Sequence, residues 1–184
     1  MDSTTVTRIT IAKDGDVLLL TKPHWSESKH GLLVSSRVLS ATSPVFKVML
    51  GPNFAEGQIK RSTEQPLEVP CDDDDHYGLK VLCALLHNTV SSLQTDDDCN
   101  ATGYLRVAEL ADKYQCVDAL GLQAEAVLSR CLVRSKDGFD EDNETLGELA
   151  QASYYFNNPD YFHVYTKRMV LDVSNFRTSY NEPW

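Results

Sequence analysis

Asp16-Val17-Leu18-Leu19-Leu20, followed by Leu33-Val34-Ser35-Ser36-Arg37-Val38-Leu39-Ser40-Ala41-Thr42-Ser43-Pro44-Val45-Phe46-Lys47-Val48-Met49-Leu50, is where the chain passes from strand to helix. Val17 to Leu20 is an unbroken apolar run, the pattern of a strand covered on both faces. Asp14-Gly15 before it is a turn signal, and the polar stretch 21–31, with Pro23 and Gly31, reads as a loop or wide hairpin connection. Leu32-Leu33-Val34 then resumes a strand, which predicts an antiparallel pair. Ser36 to Ala41 reads as a short helical segment. Ser43-Pro44 opens a second helix, because serine accepts a backbone N–H as N-cap and proline at the first helical position has none to lose. Val45, Phe46, Met49 and Leu50 follow at helical spacing, and Gly51-Pro52 stops the helix.

Working outward, Thr7 to Ile11 alternates with period two and predicts a strand with Ile9 and Ile11 on one face. Leu67-Glu68-Val69, between Pro66 and Pro70, is a short strand that the prolines place near a sheet edge. From there the periodicity is helical. One stripe carries Leu79, Leu82, Leu85 and Leu86, the next Leu105, Ala108 and Ala111, and a third Val117, Leu120, Ala124, Val127, Leu128 and Cys131. Residues 136–144 are polar and acidic. Two closing helices are lined by Leu146, Leu149, Ala150 and Ser153, and by Phe162, Tyr165 and Met169, the second opened by Pro159. Strands first and helices after predict an α+β fold, a small mostly antiparallel sheet capped by helices. The predicted core contains Val17, Leu19, Leu39, Phe46, Met49, Leu82, Leu85, Ala108 and Ala111.

The 184 residues suit one domain with an appendage, at about 150 residues per domain. Seventeen Lys and Arg against 27 Asp and Glu give a net charge of −10, with never more than two basic residues adjacent. No patch can neutralise a phosphate backbone, so neither nucleic acid nor an anionic membrane surface is an expected partner. The longest apolar runs fall far below the ~20 residues of a membrane span, and Met1 to Thr10 has no secretory pattern. The five cysteines are an odd number, each at least 12 positions from the next, which fits neither a disulfide framework nor a zinc knuckle. The expected compartment is intracellular, cytoplasm or nucleus alike. The Asn100 and Asn143 sequons are then chance matches.

Asp72 to Asp75 could gather a cation, but acids before a helix more commonly cap free N–H groups and interact favourably with the macrodipole. Asp96 to Asp98 has the same placement. Asp137-Gly138-Phe139-Asp140-Glu141-Asp142 has its glycine at the wrong offset for an EF-hand and reads as a solvated linker. Cys83 and His87 stand at i and i+4, a spacing that can chelate zinc. No second ligand pair matches, so a half-buried cysteine with a helix-end histidine is expected. Tyr154, Tyr155, Phe156, Tyr161, Phe162 and Tyr165 are read as helix-packing aromatics. No Gly-x-Ser-x-Gly, phosphate-cradling Gly-rich loop or His-Glu-x-x-His is present, and the paired carboxylates sit in runs expected to be solvated. Neither catalysis nor a cofactor or metal is expected.

The opening stretch, with Phe54-x-Glu56-Gly57, Leu67-Glu68-Val69-Pro70, Leu85-Leu86-His87 and Leu105-x-x-Ala108-x-x-Ala111-Asp112-Lys113-Tyr114-Gln115-Cys116 in order, resembles the BTB/POZ domain in its fungal version. The resemblance covers residues 8–132. It implies a BTB/POZ fold, then an acidic linker over 133–144 and a helical extension over 145–184 packing on the BTB core. It also implies a non-catalytic protein–protein interaction module that homodimerises and serves as scaffold or adaptor. Asp16 matches the family's frequent strand-start aspartate. Where the family often has a His-Lys step this chain has Ser35-Ser36, with Arg37 alongside. The Ile9/Ile11 strand and the Val38-Leu39-x-Ala41 helix resemble the family's subunit-contact elements, making Ile9, Ile11, Asp16, Arg37, Val38 and Ala41 the candidates for a dimer interface. The alternative is a substrate adaptor whose partner is a cullin, in a cullin-type ubiquitin ligase. An enzyme or zinc-binding protein is the more distant one.

Overall fold

No residue of β2 (Val17–Thr21) is exposed, and the fold is assembled around it. The computed structural model describes residues 6–23, 28–89, 100–136 and 143–179, with backbone alone at 55, 127, 130–136 and 172–179. β3 (His30–Val34) runs antiparallel to β2, pairing Val17 with Val34 and Leu19 with Leu32. β4 (Leu67–Pro70) lies parallel on the other side, pairing Val17 with Leu67 and Leu19 with Val69. β1 (Thr7–Thr10) is parallel to β3, so the order is β1-β3-β2-β4.

The sheet is therefore mixed, with two parallel pairings and one antiparallel, which corrects the expectation of a mostly antiparallel sheet. The turn after β1 reverses the chain, yet β3 inserts between β1 and β2. Ile11 and Ala12 both donate to the Leu33 carbonyl, and Asp16 donates to that of Val34, wrapping the connection around β3. A turn signal reports that a chain reverses and not which strand becomes its neighbour. The antiparallel β2–β3 pair and the edge position of β4 are as the sequence predicts. One sheet face presents Val17, Leu19, Leu32, Val34, Leu67 and Val69 to the helices. The other gathers Leu18, Leu20 and Leu33 against Val6, so a run without alternation serves two faces at once.

The helices are α1 (Ser36–Thr42), α2 (Pro44–Met49), α3 (Ala55–Gln58), α4 (His76–Leu86), α5 (Ala101–Lys113), α6 (Gly121–Lys136), α7 (Asn143–Tyr155) and α8 (Pro159–Ser179), with a 3₁₀ turn at Val117–Leu120. Ser43 accepts from the Phe46 N–H and Pro44 occupies the first turn of α2, as the dipeptide predicts. α4 packs on α5, and α7 packs on both α5 and α8. A Cβ on Gly78 would come within 3.0 Å of Leu110 and 3.1 Å of Arg106, so glycine sets how closely α4 and α5 approach. A single buried cluster joins the sheet face to Leu39, Phe46, Leu82, Ala108, Ala111, Leu128, Leu149 and Tyr165. The closing helices thus share the core of the first half, an α+β arrangement.

α6 runs to Lys136 and α7 starts at Asn143, so every residue of the expected linker at 133–144 is either helix or, at 137–142, outside the described residues. Asp96 to Asp98 also lies outside them. Among the described residues no helix is long and apolar enough to cross a membrane.

Three helices end in one way. After α4, α5 and α7 the chain takes a left-handed residue, Asn88, Gln115 and Asn157, with φ of 53°, 51° and 52°. In each, the N–H of the following residue reaches back to Ala84, Ala111 and Ser153, forming Schellman turns without glycine.

Candidate functional site

The polar centre of the fold lies where Asp72 to Asp75 meets the end of α5. Asp75 caps α4 by accepting from the Gly78 N–H at 2.7 Å, the expected role. Asp74 behaves differently. Its side chain is 2% exposed, and it accepts short hydrogen bonds from the Tyr114 hydroxyl and the Lys113 ammonium. Tyr114 stacks on Phe46 with ring centroids 4.2 Å apart, and its backbone carbonyl accepts from Ser43 Oγ at 2.6 Å. Ser43 consequently closes the start of α2 and the end of α5 with one hydroxyl. The expectation that these carboxylates are all solvated is corrected at Asp74. Composition cannot distinguish the one buried member of a four-acid run, although Lys113-Tyr114 lies within the segment that carries the family resemblance.

A second carboxylate holds the start of α1. Asp16 accepts from Ser36 N–H and Ser36 Oγ, both at 2.7 Å, and pairs with Arg61 Nε at 3.3 Å. It therefore supplies the cap that Ser35, the residue in N-cap position, does not make. His87 ends α4 with both ring nitrogens engaged. Nδ1 donates to the Cys83 carbonyl at 2.8 Å and Nε2 accepts from Ser35 N–H at 3.0 Å. That pairing sets a neutral tautomer and leaves His87 no lone pair for a metal, while Cys83 is fully buried.

Burial also decides the chemistry of the thiols. It pushes Cys71 and Cys116 up to about 12 and raises Cys83 further. These cysteines remain protonated at neutral pH and are poor nucleophiles. Tyr114 is raised in the same way, first by burial and then by its acidic surroundings, so its hydroxyl stays a donor.

His76 links β2 to α4 through a 2.6 Å contact between Nδ1 and Thr21 Oγ1, and the His30 ring stands edge-on 4.9 Å away. Burial first, and then His30 and Lys80, lower its pKa from 6.5 to about 4. Between those values the unfolded chain binds a proton that the folded chain refuses. Stability from this group is intact above pH 6.5 and is lost as pH falls towards 4, by on the order of 2–3 kcal/mol. His87 is shifted in the same direction, again by burial. Urea midpoints at pH 7 and 4.5 check this: His76→Gln should lose less stability than wild type over that interval, and equal losses would refute the assignment.

The predicted interface residues divide. Ile11 is 5% exposed and belongs to the chain's own core, because the connection after β1 folds it inward, so it is withdrawn from the interface set. Asp16 is occupied by the α1 cap. Ile9 and Val38 are half-buried, while Arg37 and Ala41 face outward from α1 opposite the buried Leu39. Of the predicted core, Met49 and Leu85 are only partly buried and the other seven are enclosed. The aromatic group divides too. Tyr165 is fully buried and donates to the Leu128 carbonyl at 2.8 Å, but Phe162 and Tyr154 are exposed, correcting the reading of all six as packing residues. The sequence reading missed another exposed set. Val48, Phe54 and Ile59 are 56%, 47% and 55% exposed along α2, α3 and their connection. That segment is tightly folded: a Cβ on Gly57 would fall 1.7 Å from the Gly51 carbonyl oxygen. No family model matches this chain, and no curated protein matches it.

Proposed function

We propose that this chain is a non-catalytic protein–protein interaction module of the BTB/POZ type that homodimerises and acts as scaffold or adaptor. The observation that carries the proposal is the exposure of Val48, Phe54 and Ile59 within twelve residues of tightly folded backbone. Side chains held there cannot withdraw into their own core. Covering them with a partner recovers about 25 cal/mol per Å² of apolar area. The buried polar groups described above, in contrast, are spent on helix caps and cross-links. The free buried thiols Cys71, Cys83 and Cys116 fit a reducing intracellular compartment, cytoplasm or nucleus.

Self-association is assigned to Ile9 on the edge strand β1 and to Arg37, Val38 and Ala41 on the outer face of α1. Edge strands and half-buried helix faces are surfaces that a second copy completes, and an obligate interface buries on the order of 2,000 Å² or more. Light scattering after gel filtration should report about twice the chain mass of 20.6 kDa. A mass near 20.6 kDa at micromolar concentration overturns the dimer.

The cullin-adaptor reading is a second possibility for the same module, and the exposed Phe54 supports it as a contact available to a large partner. Calorimetric titration with a purified cullin N-terminal region decides it. Saturable binding that Phe54→Ser abolishes without lowering the melting temperature supports this reading, and no heat of binding removes it.

A further inference from the structure

An open cleft of about 510 Å³ lies between the end of α5 with the following 3₁₀ turn and the end of α7. Among the described residues its lining includes Asp112, Gln115, Asp118, Tyr154, Tyr155 and Asn157, and no lysine, arginine or histidine. Three independent features give it one electrostatic character. Two carboxylates line it, and no ion pair is seen for either among the described residues. Two helix C-termini converge on it, since Gln115 and Asn157 are the left-handed residues closing α5 and α7, and such ends carry partial negative charge. Finally, Tyr154 is left 70% exposed at the rim, edge-on to Tyr155 at 5.8 Å and 6.4 Å from Phe162. A ring face is itself the negative part of an aromatic quadrupole.

Asp112 adds a further point. It occupies the last turn of α5, where the macrodipole disfavours an anion, and among the described residues its carboxylate has no ion pair that would compensate. A carboxylate held at a cost to its own helix fits a role outside the helix. We infer that this cleft is a docking site for a basic peptide segment, taking an arginine or lysine side chain between the Asp112 and Asp118 carboxylates and against the exposed tyrosine ring. The occupant is chosen by charge complementarity. Carboxylates supply the ion pair, the aromatic rim supplies cation–π attraction, and the chain's net charge of −10 draws a cationic segment towards it. None of the lining residues belongs to β1 or α1, so the inference does not rest on the proposed homodimer.

The test uses the full chain and a fluorescein-labelled Gly-Ser-Arg-Gly-Arg-Ser-Gly peptide in fluorescence anisotropy at physiological salt. Saturable binding is expected, about tenfold weaker for the Asp112→Asn/Asp118→Asn variant and about threefold weaker for Tyr154→Ala. Glu64→Gln/Glu68→Gln changes net charge by the same amount on the exposed stretch around β4 and should leave affinity within twofold. Equal weakening in that control shows only general attraction to an acidic protein and overturns the site. So does an absence of saturation, or equal affinity for the same peptide with glutamine replacing arginine. Saturable binding of free arginine or spermidine at the affinity of the peptide would also overturn it, in favour of a small-molecule cation site. Loss of binding through unfolding is separable by melting, because Asp112→Asn relieves an unfavourable charge at the α5 terminus and should melt no lower than wild type.

Discussion

Phe46→Ala is expected to destabilise the chain by about 3–5 kcal/mol, through lost transfer free energy and the cavity left behind. Phe46 is fully buried, in the same cluster as the sheet face, and stacks on Tyr114 with an interplanar angle of 9°. It cannot be removed without also loosening the Tyr114 ring, whose hydroxyl must stay aimed at Asp74. Stabilities of about 5–15 kcal/mol are usual, so the variant should melt roughly 10 °C lower or fail to accumulate. Val48 is the internal control, on the same helix but 56% exposed. Val48→Ala should stay within about 0.5 kcal/mol of wild type. Denaturant melts of both variants give the answer, and a Phe46→Ala midpoint equal to that of wild type would mean that α2 turns its other face inward.

The second large effect is expected at Asp74. Asp74→Ala removes the acceptor of the Tyr114 hydroxyl and the partner of Lys113. The two losses are unequal. The Lys113 side chain is 51% exposed and regains water by a rotamer change, whereas Tyr114 is 3% exposed and its hydroxyl keeps only the weak Cys71 Sγ acceptor at 4.0 Å. An orphaned buried donor costs about 1–3 kcal/mol, so with the lost charge-assisted bonds a total of about 2–4 kcal/mol follows. Tyr114→Phe keeps the stack on Phe46 and deletes only the hydroxyl, for about 1–2 kcal/mol. Combining the two should cost clearly less than their sum, because the double variant leaves no hydroxyl to orphan. Strict additivity in urea titrations would show that Asp74 and Tyr114 do not act as a unit.

Elements whose signal is local were legible in the residues. Val17 to Leu20 could only be a strand covered on both faces, and Ser43-Pro44 could only open a helix, because the cap and the proline act within four residues of their own position. The stripes along α4, α5 and α7 similarly identified the inward faces, and Asp75 was recognisable as a cap. Phe162 was misread because its spacing matches that of Tyr165, and a three-residue step fits either side of a broad apolar stripe on a helix that packs mainly against α7. The interface candidate Ile11 was misplaced for a related reason: exposure belongs to the assembled chain and not to the strand that carries the residue.

The sequence by itself determined the strands and the longer helices in their order, the openings of α1, α2 and α8, and most of the predicted core side chains, since each depends on periodicity or capping within a few positions. α3 and the 3₁₀ turn before α6 went unread. Only the tertiary structure decided which strands are neighbours, which of four consecutive aspartates is buried, and which apolar side chains remain outside. Asp74 meets Lys113 and Tyr114 across some forty residues, and Ser43 meets Tyr114 across 71. No pattern within a window of one helix or one turn encodes such a meeting. It arises when chain reversal, sheet order and helix packing together bring distant groups within hydrogen-bond distance, where a buried polar group must find a partner or the fold loses stability.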